Sequence, residues 1–430
     1  MINRNSLISR RKKLRIYNIF LLFLIFFLLN SFFILFNPDN IYCGSDTAKY
    51  NGDINITAES AVVIDYDTGE ILWEKNSSRQ IYPASLTKML SSIVAIENID
   101  NLEEIVEIPK DASGRNHSSF TFTTGDKISL IDLLKAALIS SHNNASIALG
   151  DYVSGDLEKF VGLMNIKAEE IGARNSFFEN PNGLDDEFPE HMSTAEDIAI
   201  IAAYCMKDKI FSEIVNTAGD IIHINEREIE ITNTNDLLEY NYIKGIKTGH
   251  TSNAGFCMAI FSEKNDLKLI TVVLSSKSIE ERERDVLRLL DWAYDNLEYV
   301  KIVDSKEPFS SMRVGGSTKI DVDIYPEEDY VSLLNKNIDE LDIENNIDEK
   351  ISLPVEENEI LGSTSIILNG EKIEEVDLIS HESVGSGYIH QELSISSYRQ
   401  TVFIIILLMV FYFLIIITII VKNLLTKKFF

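Results

Sequence analysis

The stretch Tyr82-Pro83-Ala84-Ser85-Leu86-Thr87-Lys88-Met89 predicts the start of a helix that carries a serine three residues before a lysine. Proline favours the first turn of a helix. A buried stripe follows at the spacing i, i+4, i+7 and i+8, formed by Leu86, Leu90, Ile93 and Val94. Ser85 and Lys88 share the opposite face of this helix, so we expect both side chains to point into a cleft rather than into the core.

Serine becomes a nucleophile when a base takes its proton, and Lys88 is placed to act as that base. The lysine must then be neutral near pH 7, and burial and a second cation, Lys247, are the two effects that lower its pKa. The pattern alone is weak, because Ser9-Arg10-Arg11-Lys12 also matches it. Two further motifs, Ser141-His142-Asn143 and Lys247-Thr248-Gly249, follow in order and favour Ser85 as the reactive serine.

Longer segments around these motifs resemble a known family. They are Asn180-Pro181-Asn182-Gly183-Leu184, His191-Met192-Ser193-Thr194-Ala195 and Gly245-Ile246-Lys247-Thr248-Gly249-His250-Thr251. Together with the Ser85 stretch they resemble the D-alanyl-D-alanine carboxypeptidases, the low-molecular-mass penicillin-binding proteins. The resemblance implies a serine-type D-Ala-D-Ala carboxypeptidase that removes the terminal D-Ala from peptidoglycan stem peptides through an acyl-enzyme on Ser85. It also implies inhibition by penicillin and binding of other β-lactam antibiotics.

The same resemblance implies a role for each motif residue. Ser85 would be the acyl nucleophile, Lys88 the general base and Ser141 a proton relay to the leaving group. The substrate would be bound by Asn143, Lys247, Thr248, Gly249 and the backbone N–H of His250, which would share the oxyanion hole with that of Ser85. His142 is not expected to act directly in catalysis. The reaction needs no cofactor, and the seven histidines show no metal-ligand spacing.

Arg282 carries a weaker match. It follows Ser275-Ser276-Lys277-Ser278 at the place where the family has an arginine near the substrate carboxylate. A solvated arginine on a helix rich in acids, with Glu280, Glu281 and Glu283 beside it, fits the sequence equally well.

The order of predicted elements indicates an α+β fold. A hairpin near residues 61–74, a helical block, a β-meander over 243–275 and a closing helix predict an antiparallel sheet flanked by helices, as in β-lactamases and transpeptidases. We therefore expect a catalytic domain over residues 54–297. Residues 300–380 predict a small β-rich domain with an acidic insertion around Asn337–Asp348, and residues 382–400 a linker.

The two ends of the chain predict export and membrane attachment. Residues 1–43 contain a basic stretch followed by an apolar run, which is typical of a signal or a signal anchor. The sequence leaves its cleavage open, because the run is long enough to span a bilayer. Residues 401–421 are free of charge and predict a transmembrane helix, with residues 422–430 as a cytoplasmic tail. The catalytic domain would then lie outside the membrane of a bacterial cell.

Composition and rival activities narrow the function further. The net charge of −28 argues against nucleic acid as a partner. A serine β-lactamase shares all three motifs, but the Glu-x-x-x-Asn pattern that usually carries its deacylating glutamate does not occur between Ser141 and Lys247. A membrane-bound sensor that binds a β-lactam or wall peptide without turnover is the rival from another class. The sequence leaves open the balance with endopeptidase activity, a vegetative or sporulation role, and the oligomeric state.

Overall fold

The computed structural model describes residues 54–114, 120–314, 320–336, 340–347, 354–384, 403–409 and 412. These residues form two compact units, of which the first ends at Asp295 and the second begins at Asn296. The predicted signal segment and most of the predicted transmembrane helix lie outside the described residues. Within the part of the chain that is described, no helix is both long and apolar enough to cross a membrane.

The first unit contains both strands and helices, largely in consecutive blocks along the chain. Its strands are β1 Ser60–Asp65, β2 Ile71–Lys75, β3 Ile105–Glu107, β4 Lys127–Ser129, β5 Gly219–Ile224, β6 Arg227–Thr232, β7 Ile243–Thr251, β8 Gly255–Lys264 and β9 Leu267–Ser276. Its α-helices are α1 Thr87–Asn98, α2 Leu130–Leu138, α3 Asn143–Ser154, α4 Leu157–Glu170, α5 Ala195–Met206, α6 Lys209–Val215 and α7 Ile279–Asn296. Short 3-10 helices cover Ala84–Leu86, Lys110–Ala112 and Asp236–Glu239.

A five-stranded antiparallel sheet in the order β2-β1-β9-β8-β7 is the frame of the first unit. Its first strand pairs with its last in sequence, with Ser60 opposite Leu274. β8 and β9 each bury a run of six consecutive residues, which is expected where a strand is covered on both faces. The predicted α+β fold, with an antiparallel sheet flanked by helices, is confirmed. The strand β7, which carries Lys247, forms one edge of this sheet.

A second, four-stranded sheet in the order β3-β4-β5-β6 was not predicted from the sequence. Two of its strands have only three residues, too few to show an alternating pattern. β4 leads directly into α2, where the Ser129 hydroxyl caps the helix by accepting a hydrogen bond from Asp132 N–H at 3.2 Å. This sheet positions the site, because α2 ends just before Ser141 and β6 ends just before Thr234.

The core of the first unit lies where the helices meet this frame. α5 is buried on nearly all sides, with alanines and isoleucines that let it pack closely on the central sheet. α1 is buried along most of its length. At the edge of the core, the Asp285 carboxylate on α7 accepts hydrogen bonds of 2.8 Å from Thr57 and Ala58 N–H. The chain before β1 is thereby bound to the last helix of the unit.

Up to Ser380 the second unit is built from strands, and its described residues 403–409 are helical. Its strands are β10 Leu297–Val303, β11 Ser310–Val314, β12 Ile320–Pro326, β13 Tyr330–Asn335, β14 Leu341–Ile347, β15 Ile360–Leu368 and β16 Glu371–Ser380. β10 pairs with β13, and the others form a sheet in the order β11-β12-β16-β15-β14. The small β-rich domain expected after the catalytic domain therefore has the predicted class of fold.

The segment predicted to be an acidic insertion differs from expectation. β14 lies within it and pairs with β15 in register, with Ile343 opposite Ile366. The misassignment has a physical reason: the polar residues of β14 face solvent at a sheet edge, so the segment has the composition of a loop. The first residues of the predicted linker also pair, since Val384 bridges Val355. Residues 385–400 lie outside the described residues.

Candidate active site

Ser85 lies on the 3-10 turn Ala84–Leu86, and the α-helix begins two residues later at Thr87. The Ser85 side chain is half-buried and lines a cavity of about 420 Å³. The Lys88 side chain is fully buried, which is an environment that favours the neutral form of a lysine. Three acceptors satisfy its ammonium group: Ser85 Oγ at 2.7 Å, Asn143 Oδ1 at 2.6 Å and the Asn182 carbonyl at 2.9 Å. A lysine with three such partners can be buried next to a serine.

Burial lowers the pKa of Lys88 well below its usual value, and the nearby Lys247 cation lowers it further. These are the two effects expected from the sequence. A lysine whose neutral form is favoured in this way can accept the Ser85 proton across a 2.7 Å hydrogen bond.

Ser141 and Asn143 lie at the junction between α2 and α3. Ser141 has a positive φ of 59°, a conformation that serine rarely adopts and that persists only where the surroundings impose it. The His142 N–H donates to the Ala136 carbonyl at 2.9 Å and ties the loop to α2. Ser141 and Asn143 both line the cavity with Ser85. His142 itself is buried and does not line the cavity, and its ring packs against the rings of Phe120 and Phe122.

β7 forms the opposite wall of the cavity. Lys247 is buried and donates to the Thr248 carbonyl at 3.0 Å, and burial and the Arg282 cation lower its pKa to about 7. The Thr248 hydroxyl donates to the Thr234 hydroxyl at 2.6 Å. His250 is exposed at the cavity rim, and its ring stacks on Phe256 at 4.1 Å between centroids.

Gly249 and Gly183 allow two segments to approach the Ser85 turn. A Cβ atom on Gly249 would lie 3.1 Å from both Ser85 N and Ala84 Cβ. We expect this glycine to let substrate lie close to the backbone, and in the structure it also permits close contact with the nucleophile turn. Gly183 has φ +85°, and a Cβ atom there would lie 1.8 Å from the Ala84 carbonyl oxygen. Gly183 has no room for a side chain, and a side chain at Gly249 would require the Ser85 turn to shift slightly.

Arg282 is buried, with 4% of its surface exposed, so the solvated alternative is wrong. Its guanidinium lines the cavity, and one nitrogen contacts the Glu283 carboxylate at 3.0 Å. Its Nε has no hydrogen-bond partner among the described residues. An incompletely paired guanidinium in a cavity next to Lys247 makes this end of the cavity suited to an anion.

The structure thus brings all nine predicted site residues to one cavity or to its wall. Seven of them line the cavity directly, namely Ser85, Ser141, Asn143, Thr248, Gly249, His250 and Arg282. A larger cavity of about 710 Å³ lies between α2 and the second sheet and contains none of them. No group of residues in the described ranges is arranged to hold a metal ion.

Comparison with known proteins agrees with this geometry. Residues 46–278 match the family model described as D-alanyl-D-alanine carboxypeptidase. The chain belongs to this family. The resemblance inferred from the motifs is therefore confirmed, and the protein is a serine-type peptidase by family. Residues 297–386 match a second model, described as the C-terminal domain of penicillin-binding protein 5.

Individual relatives cover most of the carboxypeptidase chain. It is 31% identical over 357 residues to D-alanyl-D-alanine carboxypeptidase DacA of Haemophilus influenzae, across 79% of this chain and 88% of the relative. It is 29% identical over 344 residues to DacF of Bacillus subtilis, across 78% and 88%. Penicillin binding protein 5 from Haemophilus influenzae is similar in structure, with a TM-score of 0.61, 29% identity and coverage of 78% of this chain and 100% of that one.

Sequence reasoning missed three contributors to this carboxypeptidase site. Asn182 acts through its backbone carbonyl, which no residue type can signal. Thr234 stands alone in a loop, and only the pairing of its hydroxyl with Thr248 reveals it. His191 lies in a segment that was used only for its resemblance to the family. Its burial and its contact with Thr87 depend on the fold, so the sequence did not reveal them.

Proposed function

We propose that this protein is a serine D-Ala-D-Ala carboxypeptidase that removes the terminal D-Ala from peptidoglycan stem peptides and is acylated by penicillin. One observation carries the proposal: the Lys88 ammonium nitrogen lies 2.7 Å from Ser85 Oγ in a setting that favours the neutral lysine. The names of the relatives support the substrate class.

Acylation begins when Lys88 takes the Ser85 proton as Ser85 Oγ attacks the carbonyl of the penultimate D-Ala. The N–H groups of Ser85 and His250 stabilise the negative charge that develops on the carbonyl oxygen. Ser141 then relays the proton held by Lys88 to the departing amine of the terminal D-Ala, which returns Lys88 to its neutral form. In the second half of the reaction, neutral Lys88 takes a proton from the water that attacks the ester, and that proton passes to Ser85 Oγ as the acid product leaves. Asn143 binds the backbone of the stem peptide.

The free carboxylate of the terminal D-Ala orients the substrate. Arg282 lines the cavity, and its Nε has no hydrogen-bond partner among the described residues. Lys247, on β7, is buried close to the Arg282 cation. Together with the Thr248 hydroxyl they supply positive charge and a hydrogen bond for an anion. A carboxylate bound there places the preceding peptide bond over Ser85.

Export and membrane attachment complete the proposal. Residues 1–43 would direct the chain out of the cytoplasm, and residues 401–421 would anchor it from the outer side of the membrane. The substrate is found on that side. The bacterial origin of the relatives supports a cell-wall role.

Intact mass and D-Ala release test the proposal. Penicillin should add its full mass to the wild type and to the control Ser140→Ala, a serine that lines the same cavity, but not to Ser85→Ala. A peptide ending in D-Ala-D-Ala should release D-Ala, and its C-terminal amide should react about ten- to a hundredfold more slowly because the charge-assisted bond is lost.

Each rival has its own outcome in the same assays. A full adduct on Ser85→Ala would remove Ser85 as the nucleophile. Rapid hydrolysis of penicillin without D-Ala release would identify a β-lactamase, and a stable adduct without peptide turnover would identify a sensor. Equal rates on acid and amide would replace the carboxypeptidase with an endopeptidase.

A further inference from the structure

A chain of three hydrogen bonds runs from the interior to the nucleophile turn. The Glu179 N–H donates to His191 Nδ1 at 3.1 Å, and His191 Nε2 lies 2.8 Å from Thr87 Oγ1. The Thr87 hydroxyl donates to the Ala84 carbonyl at 2.9 Å. His191, Thr87 and Ala84 have no exposed surface, so water does not compete for these bonds.

The direction of every bond in this chain is determined. Because His191 Nδ1 accepts from a backbone N–H, the proton of the neutral ring resides on Nε2. Because the Thr87 hydroxyl donates its hydrogen bond to the Ala84 carbonyl, the hydroxyl oxygen accepts a hydrogen bond from Nε2–H of His191. No member can be reversed without breaking a neighbouring bond. The ring is therefore fixed in one tautomer and one orientation.

The donor at the start of the chain is itself held. The Asn165 side chain accepts from Phe178 N–H at 2.9 Å and donates to the Phe178 carbonyl at 2.8 Å. These two bonds hold the backbone just before Glu179. The Phe178 ring also meets the His191 ring edge to face at 5.5 Å. The backbone donor to His191 is thus held by α4, which carries Asn165.

The acceptor at the end of the chain belongs to the nucleophile. The Ala84 carbonyl and the Ser85 N–H are the two polar groups of one peptide unit, and in a trans peptide they point in opposite directions. Ala84 has φ +50°, which an alanine adopts only when its surroundings impose it. The Thr87 backbone N–H also donates to this carbonyl, so the hydroxyl is a second restraint on the same oxygen.

We propose that His191 and Thr87 are positioning residues that hold the Ala84–Ser85 peptide in the orientation that aims the Ser85 N–H at the substrate oxyanion. This inference rests on the proposed acyl-enzyme function. Neither residue touches substrate. Removing either one leaves the Ser85 side chain and Lys88 in place but frees the peptide that carries the donor.

Burial holds the pKa of His191 at about 4, so the ring is neutral under ordinary conditions. A neutral ring is the form that the bond from Glu179 N–H requires. The carboxylate of Glu179 is a separate group, which accepts from Glu190 N–H at 2.9 Å.

Two pairs of matched substitutions test the proposal. Thr87→Val keeps the shape but removes the hydroxyl, whereas Thr87→Ser keeps the hydroxyl. His191→Gln keeps a donor at the place of Nε2, whereas His191→Asn keeps only an acceptor at the place of Nδ1. The measurements are the acylation rate constant at saturating penicillin and the dissociation constant of the non-covalent complex, with thermal unfolding to establish that each variant is folded.

We expect Thr87→Val and His191→Asn to acylate about ten- to a hundredfold more slowly than the wild type. This decrease is smaller than the one caused by complete removal of an oxyanion-hole donor, because the Ser85 N–H is still present. Thr87→Ser and His191→Gln should stay within about threefold of the wild type. The non-covalent dissociation constant should change little in all four, because β7 is untouched. If each pair acylated equally, or if the loss appeared in binding alone, the inference would be wrong. If the wild type itself formed no adduct, the proposed function would fail instead.

Discussion

Lys88 and Lys247 are both buried, but their ammonium groups are satisfied differently. Lys88 donates to three oxygens, whereas the described hydrogen bonds give Lys247 a single acceptor, the Thr248 carbonyl. Lys247 also lies close enough to Arg282 for the two cations to repel each other. A buried ammonium ion with a single acceptor and a second cation nearby destabilises the fold. In the proposed function, the substrate carboxylate provides the missing counterion.

Replacing Lys247 with methionine should therefore stabilise the folded protein. Below pH 7 the folded and unfolded chains both hold the proton at this position, and the folded chain bears the full burial penalty. Between about 7 and 10.5 only the unfolded chain holds it, so this lysine's contribution to the free energy of unfolding rises with pH. We expect Lys247→Met to gain on the order of 1–3 kcal/mol below pH 7, with the gain shrinking towards pH 10.5.

Urea unfolding at several pH values measures this effect. Lys277→Met is the matched control, because Lys277 is exposed and precedes the same helix as Arg282. The control should be neutral at every pH. A stability gain for Lys247→Met that did not vary with pH would show that packing, rather than charge, is responsible.

At the level of single residues, the sequence predicts side-chain chemistry better than exposure. The spacing of Ser85 and Lys88 was sufficient to predict their contact, because i and i+3 residues of a helical turn are neighbours. The complete burial of Lys88 was not predictable, since the Asn182 carbonyl comes from a loop 94 residues away in sequence. The acidic residues next to Arg282 in sequence likewise did not reveal its burial, because burial depends on contacts with distant parts of the chain.

At the level of elements, long patterned segments were predicted and short or charged ones were not. The predicted β-meander over residues 243–275 corresponds to β7, β8 and β9, which end one residue later at Ser276, and the predicted closing helix corresponds to α7. β14 was not predicted to be a strand because its polar residues, which are exposed, outnumber its apolar residues. Its role in the sheet leads to a prediction about the second unit.

Replacing residues 341–347 by a glycine-serine linker of equal length should destabilise the second unit. The linker would uncover the side chains of Ile366 and Leu368, which lie opposite β14 and are 0% and 8% exposed. Hydrogen exchange should accelerate in β15 and β16, while acylation by penicillin stays within about twofold because the first unit has its own core. The double variant Asp342→Asn/Glu344→Gln, which keeps the strand but removes its charges, should exchange like the wild type. Equal exchange in both variants would restore the loop interpretation.

At the level of the whole molecule, a protease experiment tests the orientation of the chain across the membrane. We expect protease added to cells without their wall to digest the catalytic domain and to spare a tag placed after Phe430, because the lysines that follow the apolar run retain it inside. Deleting residues 401–430 should release the protein only if the N-terminal segment is cleaved. Digestion of the tag in intact cells would reverse the orientation proposed for the C-terminal end.

The surroundings of Ser85 come from parts of the chain that are made much later than Ser85 itself. Ile81 pairs with Ser193, Thr87 contacts His191, and β1 pairs with β9, which ends at Ser276. Contacts so distant in sequence form only after the whole intervening chain is available. An emerging polypeptide therefore carries the Ser85 motif before the groups that surround Ser85 in the folded protein are available. In the proposed function, acylation of Ser85 would then become possible only on completion of the fold.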